Sequence, residues 1–183
     1  MAGLVHGWHQ PETWGERLAV PLVSAALITI PFFKPILAPL HGNLLSSRCI
    51  GDVCLQSLPS TCGPASAASL LRHFGQDASE SQLAHEAFTY RGGTEVWYLA
   101  RALRRRGIDT RIVIQDPVAR ELPAPAIAGV RMPGGAGHFV VVLEQTPTRV
   151  TVVDPLRGKL ILDNAGLRQQ YASTGFFLAC SRR

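Results

Sequence analysis

Residues 18–33 carry no charged side chain, and after the single Lys34 a second apolar run continues over 35–40. A helix that crosses a bilayer needs about 20 apolar residues, so this run reaches the length if Lys34 snorkels to the interface. Pro21, Pro31, Pro35 and Pro39 predict that the element is kinked or broken. A cleaved signal peptide fits less well, because the leading segment sets only Arg17 beside Glu12 and Glu16 and no small-x-small cleavage site follows. An arm covered by the body or by a partner is the remaining reading. The expected organisation is a tail over 1–17, a hydrophobic helix acting as a single-pass membrane anchor over 18–40, a linker over 41–55 and one domain over 56–183. Flanking Lys and Arg are too few to set the orientation, and the extracytoplasmic side is favoured.

A domain of that size buries a core without staples. The net charge is +5, much of it from Arg101, Arg104, Arg105 and Arg106 on one predicted helix. No aromatics interleave with them, so they read as a solvated basic helix end and no nucleic-acid partner is expected. No Walker A pattern is present, which leaves no nucleotide site. The four cysteines are Cys49, Cys54, Cys62 and Cys180. Cys49 and Cys54 are near enough to close a small disulfide loop outside the cytoplasm, or to stay reduced and inert. Their Cys-x4-Cys spacing is not that of a redox centre, and a zinc site lacks two further ligands at suitable spacing. No metal or cofactor is expected.

Cys62 opens a helix. After it, Ala67, Leu70, Leu71 and Phe74 recur at the spacing of one buried helical face, Pro64 sits in the first turn and Gly75 stops the run. Unpaired amides and the positive end of the helix dipole therefore favour an anion at Cys62, which suits a thiolate nucleophile. Gln56, six residues upstream, supplies a side-chain amide to donate to an oxyanion. A capping box at Ser79-Glu80-Ser81-Gln82 starts a second helix. A third, capped by Thr94, carries Val96, Leu99, Ala100 and Leu103 and stops at Gly107. Strands are predicted over 110–115, 126–130, 139–144, 150–153, 159–162 and 175–179, with a short helix over 165–171. Helices followed by strands give an α+β fold, N-terminal helices packed on a C-terminal antiparallel sheet.

The glycine-rich stretch 134–137 leads into His138 at the entrance of a strand. If the turn of the following hairpin centres near Thr146, paired residue numbers sum to about 292 and Asp154 falls opposite His138. Cys62 as nucleophile, His138 as its ion-pair partner and proton donor, and Asp154 as the group fixing the imidazole form one catalytic set. Singly, each has a plainer reading: a packed cysteine, a core histidine, an aspartate turning the chain before a proline.

Taken together, Gln56, Cys62-Gly63-Pro64-Ala65, Leu70-Leu71, Phe74-Gly75, Ser79-Glu80, Gly93-Thr94, Gly107-Ile108, Gly137-His138-Phe139-Val140-Val141, Val153-Asp154-Pro155 and Gly158 resemble the bacteriocin-processing cysteine peptidases, family thirty-nine of the cysteine peptidases, in the papain-like superfamily. The resemblance covers roughly 56–178. It implies a papain-like fold and thiol endopeptidase activity on peptides or small proteins, with Cys62, His138 and Asp154 as triad and Gln56 as oxyanion residue. It does not imply the substrate: members fused to export transporters cut leader peptides of exported peptides after a Gly-Gly pair, whereas this chain looks like a stand-alone member without transporter domains. A non-catalytic peptide-binding domain of the same fold, serving a secretion system, is the alternative.

Overall fold

The computed structural model describes residues 14–41 and 44–183. Most of the expected tail over 1–17 lies outside the described residues. Helix α1 (Trp14–Leu37) runs unbroken through Pro21, Pro31 and Pro35, so of the expected kink or break the break does not occur. Each proline removes one amide donor, and the helix-forming Ala25-Ala26-Leu27 run between them carries the turns. Leu18, Val20, Leu22 and Leu27 are exposed along it, so α1 is no buried arm. Among the described residues no helix is long and apolar enough to cross a membrane, and the spanning anchor expected over 18–40 finds no support. The C-terminal end of α1 is tied to the body: Lys34 pairs with Glu95 at 2.8 Å, and Phe32 meets the Trp97 ring at 6.1 Å between centroids.

The expected linker holds a small hairpin, β1 (Cys49–Ile50) and β2 (Val53–Cys54), closed by a Cys49–Cys54 disulfide. Three helices follow: α2 (Cys62–His73), α3 (Glu80–Glu86) and α4 (Val96–Arg105). The capping box at Ser79 forms as its sequence requires, with Ser79 and Gln82 each bonding the other's backbone amide. Thr94 does not cap α4. Glu95 takes the N-cap position without a side-chain bond, because the Thr94 hydroxyl is engaged with Thr89 at 2.8 Å.

The second half is one antiparallel sheet in the order β3-β8-β4-β5-β6-β7. Its strands are β3 (Ile108–Ile114), β4 (Ala126–Arg131), β5 (Gly137–Gln145), β6 (Val150–Asp154), β7 (Gly158–Leu162) and β8 (Ala172–Arg182). Helix α5 (Asn164–Gln170), capped by Asp163, joins β7 to β8. Alternation along the strands splits the core in two. Ile127, Val141, Leu143, Val153 and Leu178 pack on Leu70, Leu71, Leu83, Leu99 and Leu103 of the helices. Val130, Val140, Val142, Val152 and Phe177 form the opposite layer with Tyr171, flanked by Leu162 and Leu167. Ser66 on α2 donates to the Phe139 carbonyl at 3.1 Å, which fixes the mouth of α2 beside the start of β5.

Candidate active site

The Thr61 hydroxyl donates to the Leu58 carbonyl and accepts from the Leu58 amide instead of capping α2. The first amides of α2, that of Cys62 included, are therefore left without a side-chain cap, in the arrangement that binds anions at helix N-termini. Cys62 is half-buried and free of disulfide. The other free thiol, Cys180, is buried, and burial alone pushes it up to about 12, so it is chemically inert.

His138, the second residue of β5, pairs with Val130 of β4 and is buried. Its Nε2 meets Asp154 Oδ1 at 2.8 Å. That leaves Nδ1 for the Cys62 thiol, whose side chain contributes to the imidazole's raised pKa. Burial opposes the imidazolium, but the bonds to Asp154 and Cys62 outweigh it and raise His138 to about 9. The imidazole thus bridges a thiol from the helical half and a carboxylate from the sheet. Asp154, at the end of β6, is fully buried and has three donors. They are His138, the Leu156 amide at 2.9 Å on Oδ1, and the Tyr171 hydroxyl at 2.6 Å on Oδ2. Burial works against the carboxylate; these bonds prevail and hold its pKa below the ordinary range.

The hairpin register differs from the expected one. Val141 pairs with Val153 and Val142 with Val152, so paired numbers sum to 294, and a bulge then shifts the far end to Glu144–Thr151. A displacement of two residues keeps each side chain on its expected face, and Asp154 meets His138 diagonally rather than directly.

Gln56 precedes α2 with its own amide donating to the Pro155 carbonyl at 2.9 Å. Its Nε2 donates one hydrogen to the Leu58 carbonyl at 2.8 Å and keeps a second. The buried Oε1 has no hydrogen-bond partner among the described residues, and exchanging the two atoms would set two acceptors against each other. Gln56, Ser57, Pro155 and Leu156 line a cavity of about 170 Å3, so this segment borders open space rather than core. Tyr171 and Glu80, both buried, bond Asp154 and Ser57, partners distant in sequence, and nothing in the local pattern around either residue announces that bond.

The fold is shared with solved structures. A double glycine motif protease from an AMS/PCAT transporter, solved with its leader peptide, superposes with a TM-score of 0.61 at 21% identity, covering 75% of this chain and 96% of that one. The peptidase domain of Streptococcus ComA, a bifunctional ABC transporter of a quorum-sensing pathway, gives 0.61 at 22% identity, covering 73% of this chain and all of that one. Uncharacterized proteins of Methanothermobacter marburgensis and Methanothermobacter thermautotrophicus are 34% and 31% identical over 113 and 116 residues, covering 61% and 62% of this chain and 78% and 80% of theirs. The Peptidase C39 family matches residues 52–183, which contain all four of Gln56, Cys62, His138 and Asp154, and the chain belongs to that family.

Proposed function

We propose that this chain is a cysteine endopeptidase that cleaves peptides or small proteins through Cys62, His138 and Asp154. The observation that carries the reading is the buried His138–Asp154 pair brought to the open mouth of α2. The Cys62 thiolate attacks the scissile carbonyl carbon, and the oxygen takes the electron pair as an oxyanion. The Cys62 amide and the spare Gln56 Nε2 hydrogen stabilise that charge. The intermediate collapses, the C–N bond breaks, and the His138 imidazolium protonates the departing amine. Water then attacks the thioester, giving a proton to His138, and the acid leaves as the thiolate re-forms. Asp154 holds the ring throughout.

The leader peptide bound by the solved double glycine motif protease supports a peptide substrate, and leader peptides of exported peptides are the class proposed. Cys62→Ala should abolish hydrolysis of a fluorogenic peptide ending in Gly-Gly-aminomethylcoumarin while circular dichroism stays that of the wild type. Undiminished turnover by the folded variant would end the proposal.

A further inference from the structure

Among the described residues two carboxylates are wholly buried, Asp154 and Glu80, and the chemistry above uses only the first. A buried carboxylate is costly unless its oxygens are taken up by donors. Both oxygens of Glu80 are engaged by a single residue: Oε1 accepts the Ser57 amide at 2.6 Å, and Oε2 accepts the Ser57 hydroxyl. Helix capping does not require this, because the N-cap of α3 is already satisfied by Ser79 and Gln82. Ser57 follows Gln56 directly, and the Gln56 amide is held from the other side by the Pro155 carbonyl, next to Asp154. The Ser57 hydroxyl also accepts the Ser46 amide at 2.9 Å. The Gln56–Ser57 peptide is thus clamped between the sheet and the first residue of α3. This matters because an oxyanion donor works only when held where charge will develop.

We propose that Glu80 is a positioning residue for amide hydrolysis: its bidentate grip on Ser57 fixes the backbone from which Gln56 presents its amide to the oxyanion. This rests on the peptidase reading above. Glu80 touches neither substrate nor reacting atoms, so its effect passes wholly through Gln56.

A double-mutant cycle on the full chain, read with the same Gly-Gly-aminomethylcoumarin peptide, tests it. Gln56→Ala should lower kcat by roughly 10²–10³. Glu80→Ala should lower kcat by roughly tenfold or more with KM nearly unchanged, and add less than about twofold in the Gln56→Ala background. Glu80→Gln keeps an acceptor for the Ser57 amide and should restore most of the loss. An equal loss from Glu80→Ala in both backgrounds, or a loss confined to KM, overturns the proposal. If Glu80→Ala fails to fold, Ser57→Ala enters the same cycle with the same criteria. Amide exchange separates this inference from the peptidase reading: the Ser57 amide should lose protection in Glu80→Ala while the amides of α2 keep theirs. Unchanged protection at Ser57 overturns the clamp even in an active enzyme. Absence of any Cys62-dependent turnover in the wild type, with the exchange result as expected, overturns the peptidase reading and with it the catalytic consequence of the clamp.

Discussion

Asp154 is wholly buried, and donors supplied by the fold hold its carboxyl below the ordinary range. The Arg157 guanidinium, at 4.0 Å, is the nearest cation besides the imidazole, and it is itself partly exposed. Tyr171 therefore carries much of the burden on Oδ2, and its own hydroxyl is raised by burial and by the carboxylate it serves. Tyr171→Phe should cost about 2 kcal/mol at neutral pH, the scale of a lost hydrogen bond to a buried charge. The sign with pH is set by the depressed carboxyl: its stabilisation is present above the unfolded value near 4 and is lost as pH falls through the folded one. Urea unfolding at several pH values should therefore show the gap between Tyr171→Phe and wild type narrowing below about pH 4. A gap that stays constant would assign the loss to packing instead. Cys62, His138, Asp154 and Gln56 were legible because each carries a local mark: a helix mouth, a glycine-rich approach to a strand, an Asp-Pro strand end, a fixed spacing. Tyr171 looked like the end of a short helix, and Glu80 like one more first-turn acid, since their meaning lies in what folding brings beside them.

At the level of elements, each departure from expectation has its own local cause. The hairpin turn, closed by the Thr146 amide on the Arg149 carbonyl, centres between Pro147 and Thr148 rather than near Thr146; paired numbers beside it sum to 295, and the bulge beyond Val142 brings them to 294. A separate irregularity lies in β8. There the pairing with β4 shifts between Ala128 and Val130, and Gly175 sits at φ +75° with its carbonyl accepting the Gln115 amide. The strand was expected to begin at Gly175; in the structure it starts at Ala172 and bends there. A Cβ on Gly175 would run into the Gln115 carbonyl oxygen, a contact with backbone that no side-chain rotation relieves. Gly175→Ala should thus destabilise the protein by more than about 2 kcal/mol, combining a left-handed backbone penalty with the clash. Thermal unfolding gives the check, and a melting temperature within a degree or so of wild type would show that β8 can straighten at no cost. The β1–β2 hairpin escaped prediction for a simpler reason, because two-residue strands carry no periodicity and the disulfide that closes them is only one option for a Cys-x4-Cys pair.

The α+β order was readable for the whole molecule because helix and strand periodicities occupy separate halves of the sequence. What joins the halves was readable only in outline. Cys62 belongs to the helical half and His138 to the sheet, and Ser66 on the Phe139 carbonyl, with Gly63 close against Phe139, holds one against the other. The raised pKa of His138 is therefore a property of the docked molecule, since in the unfolded chain neither Asp154 nor Cys62 stands beside the ring. With a folded value of about 9 against an ordinary 6.5, the imidazolium contributes stability that is fully present below about pH 6.5 and disappears as pH rises through 9. The stability of the wild type in urea should fall between pH 6.5 and 9, while His138→Ala, less stable at pH 6, should stay nearly flat over the same window. If His138→Ala declines as steeply as wild type, the ring is not held as an imidazolium by the assembled halves, and the proton that the proposed mechanism delivers to the departing amine must come from elsewhere.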